Sequence, residues 1–170
     1  MALGWALGSV SKGLVVIALA LAGCASIDGY TLTPGQSTLA EVEAVMGAPA
    51  ERRQAGAETW LYYPDQPFGR KVFVARIGPD GRLIALEQRL SGEYIAKLVP
   101  NQSRRDDVLA LFGQPYKQLN YPRMERDTWS WHMRQYGNQP AGLHVQMSPD
   151  GVVREIYVLD EENKNDRPRR

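Results

Sequence analysis

Ser37-Thr-Leu-Ala-Glu-Val-Glu-Ala-Val-Met-Gly-Ala-Pro49 is the stretch from which the rest of the chain can be read. A hydroxyl at Ser37 or Thr38 can accept a hydrogen bond from an unpaired first-turn N–H. Glu41, three residues after Thr38, completes a capping box. Leu39, Val42, Val45 and Met46 recur at helical spacing and give the segment one apolar face. Gly47 can take the positive φ that closes a helix, and Pro49 prevents its resumption. Ser103-Arg-Arg-Asp-Asp-Val-Leu-Ala-Leu-Phe-Gly-Gln-Pro115 repeats the pattern with Ser, Val, Ala, Gly and Pro in the same places.

The repetition extends outward on both sides. Leu32-Thr-Pro-Gly-Gln-Ser37 matches Leu98-Val-Pro-Asn-Gln-Ser103. Proline suits the second position of a tight turn, and the third needs a positive φ, which Gly35 and Asn101 tolerate best. After each helix a strand opens on Thr-Trp, at Thr59–Tyr63 and at Thr128–Met133. A loop follows, Pro64 to Arg70 in one copy and about Gln135 to Gly142 in the other. Second strands are expected at Val72–Ile77 and Leu143–Met147. Pro79-Asp-Gly81 and Pro149-Asp-Gly151 then turn the chain into third strands at Arg82–Arg89 and Val152–Leu159. The reading is α+β: two copies of a helix, or helix pair, packed on a three-stranded antiparallel sheet. The units span 32–90 and 98–159. A connector, 91–97, lies between them, with Tyr94, Ile95 and Leu98 placed to pack between the copies. From 160 to 170 the chain is charged, lacks any apolar residue but Pro168, and reads as a disordered tail.

Residues 1–23 read as a signal peptide: Lys12 precedes a short apolar run, and no acidic residue occurs before Asp28. Leu14 to Ala22 is too short to span a bilayer of about 30 Å as a helix. The run ends Leu21-Ala22-Gly23-Cys24, which resembles the lipobox of bacterial lipoproteins. That resemblance implies lipidation of Cys24, cleavage before it, and a tether at 24–31. Ala25, where retention in the inner membrane would favour Asp, implies an anchor in the outer membrane facing the periplasm. Several acyl chains anchor stably where one holds marginally.

Charge and composition narrow the function. Lys+Arg number 20 and Asp+Glu 19, so no basic excess points to nucleic acid. Cys24 is the single cysteine, which leaves no intrachain disulfide and no thiol metal site. His132 and His144 are the only histidines, and neither sits in a motif with ligand spacing. His132 shares a strand face with Thr128 and Ser130 and reads as solvated, and His144 reads as an outward position. Asp106 and Asp107 fall in a first helical turn, where carboxylates suit the dipole. No enzyme chemistry and no cofactor are expected. Trp60 and Trp129, aligned in both copies, are expected in the core. Tyr63, Phe68, Tyr121 and Tyr136 lie in or near loops and are the candidates for contact with a partner.

A capped helix ending Gly-x-Pro, a Trp-x-Tyr strand and a hairpin turning at Asp-Gly resemble the SmpA/OmlA (BamE-like) family of outer-membrane lipoproteins. Ser37, Val42, Gly47, Pro49, Trp60 and Tyr62 occupy the matching positions of the first copy. Ser103, Val108, Gly113, Pro115, Trp129 and Trp131 occupy those of the second. The resemblance implies a non-enzymatic scaffold or adaptor in an outer-membrane complex such as the β-barrel assembly machinery, with a protein partner in the envelope. The family's assembly factor carries one such domain and this chain two. A tandem of α/β units also resembles the secreted β-lactamase inhibitor proteins, and the alternative reading is a periplasmic inhibitor or a ligand- or peptidoglycan-binding module.

Overall fold

The computed structural model describes residues 29–161. Cys24, the signal segment 1–23 and the tail from 162 lie outside the described residues. The helix of the opening stretch, α1 (Leu39–Met46), begins as its sequence directs. Thr38 Oγ1 accepts the Glu41 N–H at 3.3 Å, and the Glu41 carboxylate accepts the Thr38 N–H at 2.7 Å. These bonds hold the Glu41 carboxyl below its usual range. Gly47 ends the helix at φ 84, and its N–H reaches Glu43 O. Thr38→Ala is expected to cost about 1 kcal/mol, read as a lowered midpoint in thermal denaturation. No change would count against the cap.

Four strands follow: β1 (Glu51–Ala55), β2 (Glu58–Pro64), β3 (Val72–Ile77) and β4 (Leu83–Gln88). They form an antiparallel meander in sequence order. A short helix, α2 (Gly92–Ile95), leads to α3 (Arg105–Phe112). A second meander then comprises β5 (Lys117–Tyr121), β6 (Arg126–Arg134), β7 (Pro140–Met147) and β8 (Val153–Asp160).

Each sheet therefore has four strands, where three were expected. The additional strands, β1 and β5, occupy the link between helix and Thr-Trp strand. Both are edge strands, and β5 is exposed along its whole length. Edge strands bury little side chain, so Glu-Arg-Arg-Gln-Ala and Lys-Gln-Leu-Asn-Tyr carry no hydrophobic alternation to announce them. Asp160 is a second correction: it closes β8, and Glu161 is held by hydrogen bonds, so the ordered chain runs past the expected start of the tail. Gly29 is a third. It is packed tightly enough that a Cβ would come 2.5 Å from a Leu86 methyl, so the fold begins inside the stretch read as a tether.

The two turns before the helices use the same bonds. Gly35 (φ 78) and Asn101 (φ 65) both take the positive φ the sequence required. Gly35 N–H donates to Leu83 O and Asn101 N–H to Val153 O, each at 2.7 Å. Ser37 and Ser103 do not cap. Their hydroxyls accept the N–H of Thr33 and Val99, closing the turn instead. The second helix has no hydroxyl cap, but the Asp107 carboxylate accepts the Arg104 N–H at 2.7 Å.

The core is in two parts. Val42 and Met46 of α1 pack on Leu61, Tyr63, Ala75, Ile77 and Leu83. The larger cluster joins Val108 and Phe112 of α3 to the inner face of the second sheet, at Trp129, Trp131, Leu143 and Val145. It also takes in Tyr62, Val72 and Val74 from the face of the first sheet that α1 leaves bare. Tyr62 fixes the junction, its hydroxyl donating to Ala110 O at 2.7 Å. The layers thus run α1, first sheet, α3, second sheet. Because the first sheet is covered on both faces, Leu61, Tyr62 and Tyr63 are consecutively buried. Leu98, where the second unit begins, is buried in the same cluster, with Tyr94 and Ile95 of the connector packed against it.

Candidate functional site

The layer order leaves the outer face of the second sheet and the loops at its ends open to ligands or partners. The four sequence candidates separate on this frame. Tyr63 is core: it is buried against α1, and burial pushes its phenol up to about 12. The expectation of a partner contact there is overturned, because the first sheet has no uncovered face at that point. Phe68 and Tyr136 are 99% and 101% exposed. Tyr121 is exposed to a lesser degree, 41%, and pairs with Arg126 at the other end of β6 from Tyr136. The eight steps along β6 put these ends about 26 Å apart.

Phe68 and Tyr136 come from loops that are fastened to one neighbourhood. The β2–β3 loop closes on itself through Asp65 N–H to Lys71 O at 3.0 Å. Its Gln66 side chain then makes two bonds to one backbone residue: His132 N–H donates to Oε1 at 2.9 Å, and Nε2 donates to His132 O at 2.7 Å. β5 starts opposite Ser130, so His132 has no strand neighbour on that edge, and the carboxamide stands in for one. Arg70 reaches the carbonyls of Met133 and Ala141 at 3.4 and 3.3 Å. The β6–β7 loop is closed by Gln135 N–H to Gln139 O and by Arg134 to Asn138 O, both 2.9 Å. Beside Tyr136 lies a groove of about 580 Å³ lined by Leu90, Ile95, Met133 and Val158, with Gln88 and Gln135 at its rim.

On the outer sheet face the two histidines have more company than the sequence suggested. His144 Nδ1 meets Ser130 Oγ at 2.9 Å, and its ring stacks on Tyr157 with centroids 5.2 Å apart. Burial is the main cause pushing the imidazole down, so His144 favours the neutral form. His132 stacks on Tyr116 at 4.0 Å and bonds through Nδ1 to the Glu161 carboxylate. Arg70 holds the other Glu161 oxygen at 2.6 Å. Burial disfavours the Glu161 carboxylate, and the bonds from Arg70 and His132 outweigh it, leaving the carboxyl below its usual range. His132 is on the face that strand alternation assigned, but it is partnered rather than freely solvated.

Sequence reasoning missed this cluster because its parts come from distant places. Arg70 belongs to the first unit, and Glu161 falls in the run read as tail. The one available signal was the alternation that puts Ser130, His132 and His144 on a common face. No group of three or more His, Cys, Asp or Glu residues among those described could hold a metal ion. No helix among the described residues is long and apolar enough to cross a membrane.

No family model matches the chain, and no curated protein matches it. Among solved structures, a proposed β-lactamase inhibitor protein from Streptococcus mutans is similar at 12% identity over 74% of this chain and 84% of that one, with a TM-score of 0.30. At that score the likeness bears on neither fold nor function.

Proposed function

We propose that the protein is a lipid-anchored, non-enzymatic adaptor of the bacterial outer membrane that faces the periplasm and docks a protein partner through the end of the molecule carrying Phe68 and Tyr136. The observation that carries this reading is the full exposure of both rings on loops whose backbones are pinned. Large apolar side chains are normally withdrawn from water, and pinned aromatics contribute contact area at low entropic cost. The lipobox-like Leu21-Ala22-Gly23-Cys24 supports the anchor. The matching turn bonds and the matching carboxylate bonds from Glu41 and Asp107 to the N-cap N–H support reading each unit as an SmpA/OmlA-like domain, which makes a barrel-assembly complex the partner of first choice. An inhibitor or ligand-binding module built from tandem units would present a concave aromatic surface shared by both. Trp129 and Trp131 are buried, which is why the adaptor is preferred.

Photo-crosslinkers placed at 68, 136 and 121 in cells test the docking end. The same adduct from 68 and 136, absent from 121, is the expected result. Equal capture from 121, or no adduct at all, would discard the assignment. The anchor has its own test: mass spectrometry of the mature N-terminus should show an acylated Cys24.

A further inference from the structure

Glu161 is the residue that follows the end of β8. Its carboxylate lies among three groups of opposite or donor character: the Arg70 guanidinium at 2.6 Å, the His132 imidazole, and His144 across the sheet. Gly142 forms the floor. A Cβ there would stand 2.8 Å from His144 Nε2 and 3.7 Å from Glu161 Oε1, so a side chain would fill the space where the carboxylate and the second imidazole converge. Both imidazoles are held in place, His132 by its stack on Tyr116, His144 by Tyr157 and Ser130. In the neutral tautomer whose Nδ1 accepts from Ser130 Oγ, the His144 ring carries its proton on Nε2 and presents a donor towards Gly142. Lys117 adds positive field from β5. Among the described residues, the Glu161 carboxylate is the acid that bonds to Arg70 and His132.

We propose that Arg70, His132 and His144 form a binding site for a carboxylate supplied by another molecule, and that Glu161 fills it in cis as a displaceable plug. The chemistry required of the ligand is a planar carboxylate able to take the Arg70 guanidinium on one oxygen and an imidazole on the other. A peptide's free C-terminus meets that requirement. Glu161 is suited to give way because it follows the last β8 pair, and one backbone bond, its N–H to Pro140 O at 3.0 Å, holds it beyond the strand. The side chain is about a third exposed, so an incoming carboxylate can approach. The site shares Arg70 and His132 with the fastening of the Phe68 loop, but its test reads carboxylate binding by the chain alone and so can fail or succeed independently of the docking proposal.

The experiment compares the full chain with its Glu161→Ala variant, using acetate and a short peptide as free acid and as C-terminal amide. Ring signals of His132 and His144 are followed by NMR. Glu161→Ala is expected to bind both acids at least tenfold more tightly than the unsubstituted chain, with shifts at both rings, and to ignore the amide. Adding Arg70→Ala should abolish the gain. Equal affinity in the two chains, equal binding of acid and amide, or a gain that survives Arg70→Ala would each overturn the proposal. Glu161→Gln keeps the side-chain volume and guards against misfolding of the alanine variant. If both variants lose the native circular dichroism spectrum, Glu161 is a structural closure and the plug is refuted.

Discussion

Trp131→Ala is expected to destabilise the protein by about 3–5 kcal/mol, a large part of the stability of an ordinary domain. Trp131 is fully buried at the centre of the larger core. It meets Phe112 of α3 with ring centroids 5.6 Å apart and Trp129 at 6.4 Å, and its indole N–H donates to Gln114 O at 3.2 Å. Truncation would leave a cavity between α3 and the second sheet and strip Gln114 O of that donor. The loss should reach the first unit as well, because Tyr62 and Val74 belong to the same cluster. Urea denaturation followed by fluorescence and by circular dichroism is the measurement. A cost below about 1 kcal/mol would mean that α3 does not rest on Trp131 as described.

The second large effect is expected at Arg89, at about 3 kcal/mol for substitution by alanine. Arg89 is 3% exposed, and its guanidinium lies by the rings of Trp60 and Tyr94, 4.8 and 4.7 Å from their centroids. Nε donates to Glu87 at 2.7 Å, and a further N–H reaches Ala110 O of α3 at 3.5 Å. One side chain therefore ties the end of the first sheet to the connector and to the second unit's helix. Glu87 would keep a longer contact to Arg76 at 3.3 Å, which sets the estimate at the lower end for a broken buried pair. Arg89→Lys should recover only part of the loss, since an ammonium keeps the charge but cannot stack as a plane between two rings. Full recovery by lysine would show that charge alone holds the junction.

What could be read in advance followed from local bonding. The capping box, the positive φ at Gly35 and Asn101, and the Asp-Gly turns at Gly81 and Gly151 each depend on a few neighbouring residues. Three strands of each sheet could be placed because their buried positions alternate or run continuously apolar. β1 and β5 were invisible for the opposite reason: their place is fixed by backbone pairing to Trp60 and Trp129 neighbourhoods, not by their own side chains. The layer order was also out of reach, since nothing local to Tyr62 says that a helix 48 residues later will accept its hydroxyl proton. At the surface, the exposure of Phe68 and Tyr136 could be expected from their place in loops, because an aromatic in a loop needs little context. Tyr63 was misplaced by the same rule, its strand being covered on both sides. The Arg70–His132–Glu161 group needed a tertiary contact to exist at all.

Gln66 has a bearing on how the protein survives at high concentration. A sheet edge with free amide and carbonyl groups is a template on which another chain can add a strand. Between Ser130 and the end of β6 the edge has no strand paired to it among the described residues, and one carboxamide occupies the His132 pair on both its donor and its acceptor. A single side chain from the first unit thus seals a seam in the second. The two halves are joined by more than a shared core: separating them would uncover that seam as well as the cluster they share.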